Sequence, residues 1–176
     1  MKNLPVVGKA HEAGPGAGAF HWFIYGSSLD RQAFASWAEQ HGYHLPDFSQ
    51  AVPVRLEGYR LAWNIQSNFW GGTVASLEET PGAAVEGLAL PLGPEARPLV
   101  DHKEGAISGL YQAFSATALP LAGGSPLPVL AYRANPARRL PQEGRPSPRF
   151  LATLLQGARQ SGLSPAYIAS LEQLTT

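Results

Sequence analysis

A chain of 176 residues with 44% hydrophobic and 15% charged side chains has the size and apolar content of one domain, and two full domains would be hard to fit. Its 13 basic and 13 acidic side chains cancel, so no global field draws it to a nucleic-acid backbone or an anionic membrane, and neither is expected as a partner. The absence of cysteine excludes disulfides, thiolate nucleophiles and cysteine metal sites, and it fits a reducing compartment, the cytoplasm.

Met1 to Phe20 are rich in Gly, Ala and Pro and lack a signal-peptide core, and no apolar run is long enough to span a bilayer. Residues 1–19 are therefore expected to form a flexible leader and residues 20–176 the folded domain. His21-Trp22-Phe23-Ile24-Tyr25 reads as a buried strand that breaks at Gly26-Ser27-Ser28. Ala33, Phe34, Trp37 and Ala38 then recur at helical spacing, with Asp30 or Ser28 as cap and Gly42 as stop.

Between Ala51 and Leu92 the pattern predicts four short extended segments: Val52 to Leu56, Tyr59 to Ile65, Gly72 to Leu77 and Val85 to Leu92. Gly58, Gly71-Gly72 and Pro81-Gly82 separate them, which describes a mostly antiparallel sheet or small barrel. A short helix is expected to begin near Asp101, whose carboxylate suits an N-terminus, with Glu104 one turn in. Ser115 to Leu127 reads as a surface loop and Val129 to Arg133 as a strand. Ser147-Pro148 and Ser164-Pro165 each place a capping hydroxyl before a proline at the first helical position. The apolar stripes that follow, Phe150, Leu151, Leu154, Leu155 and Ala158, then Tyr167, Ile168, Leu171 and Leu174, are core-facing.

Candidate chemistry is sparse. His11, His21, His41, His44 and His102 are scattered, and none forms the helical pair of zinc proteases, so no metal is expected. Nucleophile-elbow, phosphate-loop and dinucleotide motifs are absent as well. Gly26-Ser27-Ser28, between a strand and a helix, either turns several N–H groups toward an anion or is a plain turn with a helix cap. Glu104 is either a functional acid or one that complements a helix dipole. Tyr25, Tyr111 and Tyr132 read equally well as amphipathic core aromatics.

Phe23-Ile24-Tyr25-Gly26-Ser27-Ser28-Leu29 resembles the Tyr-Gly-Ser-Asn-Leu loop of the gamma-glutamylcyclotransferases, with Ser28 in place of the family's Asn. Leu56-Glu57-Gly58-Tyr59-Arg60-Leu61, Gly71-Gly72-Thr73-Val74-Ala75 and Val85-Glu86-Gly87-Leu88-Ala89 are similar to successive strands of the same family. Leu99 to Tyr111, with Asp101, Glu104-Gly105 and Ser108-Gly109-Leu110-Tyr111, resembles its Leu-Asp-x-x-Glu-Gly segment ending in Ser-Gly-x-Tyr. Pro146 to Leu151, Gly157-Ala158-Arg159 and Gly162-Leu163 resemble its closing helix. The leader and the proline-rich stretch around Pro120 to Pro128 have no counterpart.

The resemblance implies an α+β fold, a small twisted, mostly antiparallel barrel-like sheet with surrounding helices. It also implies a cofactor-free reaction on a small γ-glutamyl substrate. The α-amine attacks the γ-carbonyl, closes 5-oxoproline and expels an amine or amino acid. Glu104 falls on the family's catalytic glutamate. Tyr25, Gly26, Ser27, Ser28, Leu29, Tyr111 and Tyr132 fall on substrate-contacting positions. The sparsely charged surface leaves room for a homodimer. The alternatives are a domain of the same fold that binds a carboxylate or amino-acid-like ligand without turning it over, as the Ser28 departure suggests, and an interaction module.

Overall fold

The computed structural model describes residues 18–176, so residues 1–17 of the expected leader lie outside the described residues. Five strands form a closed barrel: β1 (Phe20–Ile24), β2 (Val52–Ser67), β3 (Gly72–Leu92), β4 (Tyr111–Pro120) and β5 (Leu127–Ala134). Their order is β1-β3-β2-β4-β5. Every pair is antiparallel except β1 with β5, which closes the barrel in parallel through Trp22 and Leu130. The fold is thus the α+β, mostly antiparallel barrel that the resemblance implies. Among the described residues, no helix is long and apolar enough to cross a membrane.

Two expectations about the sheet are corrected. The four segments predicted between Val52 and Leu92 are two long strands of 16 and 21 residues. Gly58 and Gly82 take φ of 81° and 82° on the two sides of one register shift, where Gly58, between Glu57 and Tyr59, stands opposite the stretch of β3 between Glu79 and Ala84, so the interruption is a bulge within a continuing ladder. The pairing resumes with the same partner, and the strand bends around the barrel without ending. The other correction concerns Ser115 to Pro120, expected as loop, which belongs to β4 and pairs with β5 from Tyr111↔Ala134 to Ala118↔Leu127. Its small side chains lack β propensity, and long-range pairing overrides that weak local preference.

Four helices surround the sheet: α1 (Arg31–Gln40), α2 (Arg97–Lys103), α3 (Pro148–Gln160) and α4 (Pro165–Glu172). Asp30 caps α1 by accepting from the amides of Gln32 and Ala33. Ser147 and Ser164 cap α3 and α4 through the amides of Phe150 and Tyr167. The stripe of α3 is buried as expected, whereas in the second stripe Leu171 of α4 is buried and Leu174, in the 3-10 turn that follows α4, is exposed. Glu86 pins α4 to the barrel by accepting from the Ser164 amide at 2.8 Å and hydroxyl at 2.7 Å.

The start of α2 differs from expectation. It begins at Arg97, with Pro98 in its first turn, so Asp101 lies inside the helix and Glu104 at its C-cap. Asp101 takes the Arg97 guanidinium at 2.8 Å, one turn back, instead of capping an N-terminus. Gly105, at φ 71°, ends the helix: its amide donates to His102 O and that of Ala106 donates to Asp101 O. These two bonds form a Schellman motif, and they fix the direction in which the chain carries Glu104.

Candidate active site

One end of the barrel opens into a cavity of about 200 Å³, smaller than the roughly 300–1,000 Å³ clefts that take drug-sized ligands. It is lined by the end of β1 (Tyr25 to Ser28), the β2–β3 hairpin (Gln66, Ser67, Trp70, Ala75), Lys103 and Glu104 from α2, Tyr111 and Phe150. A cavity of this size suits a ligand with the bulk of one amino acid.

The loop after β1 is a single 3-10 turn, Ser27–Leu29, closed by Leu29 N–H to Gly26 O and Asp30 N–H to Ser27 O, both at 3.1 Å. The amides of Ser27 and Ser28, as the first of that turn, have no carbonyl within it to accept them. Among the described residues, neither serine hydroxyl bonds to protein, and both residues line the cavity. The loop is held from behind by α3. A Cβ on Gly157 would stand 2.4 Å from Asp30 N and 2.5 Å from Leu29 C, so only glycine lets the helix come this close.

Glu104 faces this loop across the cavity. Burial pushes its carboxyl up to about 7, against the opposing pull of the Lys103 ammonium and of the buried Trp22 indole, whose N–H has no hydrogen bond of standard geometry. The carbonyl end of α2 acts in the same direction as burial, because it disfavours negative charge. Near neutral pH Glu104 is therefore divided between acid and carboxylate, the condition in which one group both accepts and returns a proton. Burial pushes the Lys103 ammonium down while Glu104 beside it pulls it up.

Tyr25 donates to Tyr132 O at 2.7 Å and Tyr111 to Ala75 O at 2.8 Å. Burial holds both phenols well above their ordinary pKa, with Glu104 adding to the effect, so they remain protonated. Each spends its only proton on a backbone carbonyl and is left with oxygen lone pairs to offer a ligand. The cavity thus presents acceptors from Tyr25, Tyr111 and Glu104, and donors from the Ser27-Ser28 turn, which complements a zwitterion.

Six of the eight site residues read from the sequence, Tyr25, Gly26, Ser27, Ser28, Glu104 and Tyr111, line this one cavity. Leu29 and Tyr132 do not. Leu29 is fully buried in the core, because the 3-10 turn rotates its side chain inward. Tyr132 is also fully buried, and its hydroxyl donates to Asp101 Oδ1 at 2.6 Å. It sits behind Tyr25 and under α2, and so positions the lining from outside it. Sequence reasoning missed Gln66, Ser67, Trp70, Lys103 and Phe150. Only Phe150 carried a local signal, as part of the α3 stripe. His41 and His102 pack edge to face at 5.1 Å, and among the described residues no group of three or more metal-ligating side chains gathers.

A small closed barrel with a half-buried acid and an amide-rich turn lining one cavity is the class of protein the structure describes. Residues 84–171 match the model of the AIG2-like family, and the chain belongs to that family. It is 26% identical over 160 residues to the gamma-glutamylcyclotransferase of Bos taurus, covering 89% of this chain and 79% of that one. The Homo sapiens gamma-glutamylcyclotransferase is 25% identical over 165 residues, covering 92% and 81%. Among solved structures, a gamma-glutamyl cyclotransferase superposes with a TM-score of 0.73 at 21% identity, covering 88% of this chain and 86% of the other. Bacillus subtilis YkqA gives 0.74 at 21%, covering 89% and 54%. At these identities the structural likeness establishes the fold.

Proposed function

We propose that this chain is an enzyme of the gamma-glutamylcyclotransferase type, converting a γ-glutamyl amide to 5-oxoproline and a free amine or amino acid. The observation that carries the reading is Glu104, an acid raised to about 7 inside an amino-acid-sized cavity and facing the Ser27-Ser28 turn. The relatives named gamma-glutamylcyclotransferase support it.

The substrate α-carboxylate binds at the amides and hydroxyls of Ser27 and Ser28. The α-ammonium meets Glu104 and the phenol oxygens of Tyr25 and Tyr111. Folding the γ-glutamyl chain so that its nitrogen rests near its own γ-carbonyl makes orientation the main source of acceleration, worth several kcal/mol. An α-amine titrates near 8, so within about one unit of Glu104, and proton transfer between them is nearly balanced.

Glu104 carboxylate takes one proton from the ammonium. The amine nitrogen forms a bond to the γ-carbon, and the C=O electron pair moves onto oxygen. Glu104, now an acid, protonates the departing nitrogen as its C–N bond breaks and the carbonyl re-forms. The surplus proton on the ring nitrogen returns to Glu104 and passes to the released amine, restoring the carboxylate. No redox step or external nucleophile enters the balance.

The test is mass-spectrometric detection of 5-oxoproline after incubating wild type and Glu104→Gln with a panel of γ-glutamyl amino acids and γ-glutamylamines. Product from wild type alone is expected. Binding of the panel by both proteins, with product from neither, would assign the cavity to a ligand-binding domain of the same fold.

A further inference from the structure

A second hollow, of about 490 Å³, adjoins the cavity and shares Ser27, Trp70 and Lys103 with it. Its other walls include Trp37, His41 and Phe69. Phe69, at the tip of the β2–β3 hairpin, is 72% exposed. It is held there: the Arg149 guanidinium lies 4.7 Å from its centroid and 5.0 Å from that of Trp70, and Arg149 also donates to Phe69 O. Trp37 is held as well, stacked on His41 at 4.4 Å and on Tyr43 at 5.7 Å. These rings form a fixed aromatic trench that leads away from Glu104.

Lys103 stands where the two hollows meet. Its Nζ lies 5.2 Å from the Trp37 ring centroid, and among the described residues it makes no ion pair with a carboxylate. A cation at the junction, beside the acid assigned to the leaving nitrogen, matches a substrate whose leaving half carries an anion close to that nitrogen. The trench beyond it matches a flat apolar side chain.

Resting on the reading above, we propose that the trench and Lys103 form the leaving-group subsite, and that the group released is an amino acid with an aromatic or large apolar side chain. Its α-carboxylate pairs with Lys103, and its side chain lies against Trp37, Phe69 and Trp70. An uncharged amine forfeits the ion pair, and a glycine leaving group forfeits the trench.

The experiment measures kcat/KM for 5-oxoproline release from three substrates: γ-glutamyl-phenylalanine, γ-glutamyl-glycine and γ-glutamyl-phenethylamine. The last keeps the ring and lacks the carboxylate. Wild type is expected to prefer γ-glutamyl-phenylalanine to each of the others by about tenfold or more, in line with one charged contact or one buried ring. Lys103→Met should collapse the preference over phenethylamine, and Lys103→Arg should retain it. Phe69→Ala, at an exposed position, should collapse the preference over glycine through KM. Any change that Lys103→Met causes in Glu104 affects all three substrates alike, so the ratios isolate the carboxylate contact. Release at equal efficiency from all three by wild type overturns the subsite and leaves the cyclotransferase reading intact. No 5-oxoproline from any of them overturns both.

Discussion

The Tyr132 hydroxyl donates to Asp101 Oδ1 at 2.6 Å, and through that bond β5 holds the helix that ends in Glu104. The same residue's carbonyl accepts the Tyr25 hydroxyl at 2.7 Å. One buried residue, through its side-chain hydroxyl and its backbone carbonyl, therefore fixes two sides of the cavity without entering it. Tyr132→Phe removes the bond to a charged acceptor and should cost about 1–3 kcal/mol in chemical denaturation. Turnover should fall with the fold retained, because α2 gains freedom at its active end. Unchanged stability and unchanged turnover together would contradict the positioning role.

Glu104 makes stability depend on pH in a way that needs no substrate to observe. Its carboxyl lies at about 7 when folded and near the ordinary 4.5 when unfolded. The folded state thus holds its proton longer, and its favourable contribution is complete below 4.5 and lost as pH rises to about 7. Relative to wild type, Glu104→Gln should gain roughly 3 kcal/mol between pH 4 and pH 8, because each tenfold change in proton affinity between 4.5 and about 7 is worth about 1.4 kcal/mol. Urea denaturation of both proteins at the two pH values reads the difference. Parallel curves would mean that the acid is solvated.

The same substitution should lower 5-oxoproline formation by about 10²–10⁴-fold, the range expected for loss of a general acid-base group. With near-isosteric Gln, KM should change far less than kcat. A loss confined to KM would make Glu104 a binding residue.

In wild type kcat/KM should rise with pH along a limb centred near 7, as Glu104 becomes the carboxylate that accepts the ammonium proton. The Lys103 cation pulls that carboxyl down, so Lys103→Met should move the limb to higher pH. A stationary limb would assign the profile to another group.

Gly157 allows α3 to rest on the backbone of the Ser27–Leu29 turn. In Gly157→Ala the added carbon would meet Asp30 N at 2.4 Å, which forces the helix and the turn apart. Overpacking of this kind costs about 1–3 kcal/mol, and KM should rise because Ser27 and Ser28 shift with the turn. Thermal melting and substrate titration measure the two effects.

Local chemistry is legible in the sequence where a side chain caps its own helix. Asp30, Ser147 and Ser164 bond amides two or three residues on, so the signal and its effect are neighbours. Asp101 misleads for the same reason: an acid before a helical run looks like a cap, although Pro98 was the truer mark of the helix start. Gly58 and Pro81-Gly82 are legible as interruptions, but whether a strand ends or bulges is decided by its partner across the ladder. Glu104 stands out from an ordinary helix acid only through the family resemblance. Its burial depends on Trp22, Tyr25 and Tyr111, which arrive from distant parts of the chain. Lys103 and Trp70 leave no pattern at all, because each is defined by the cavity it borders.

The parallel seam between β1 and β5 also sets an order of assembly. The β2–β3 hairpin joins neighbours in sequence and can form early, whereas Tyr25 and Tyr132 meet across 107 positions, and their contact waits for the whole barrel. The Ser27–Leu29 turn and Glu104, which line one cavity, come into register only in this last closure. A chain stalled before that step has most of its secondary structure and none of its chemistry, so regained activity should lag behind regained β-sheet signal when the protein refolds.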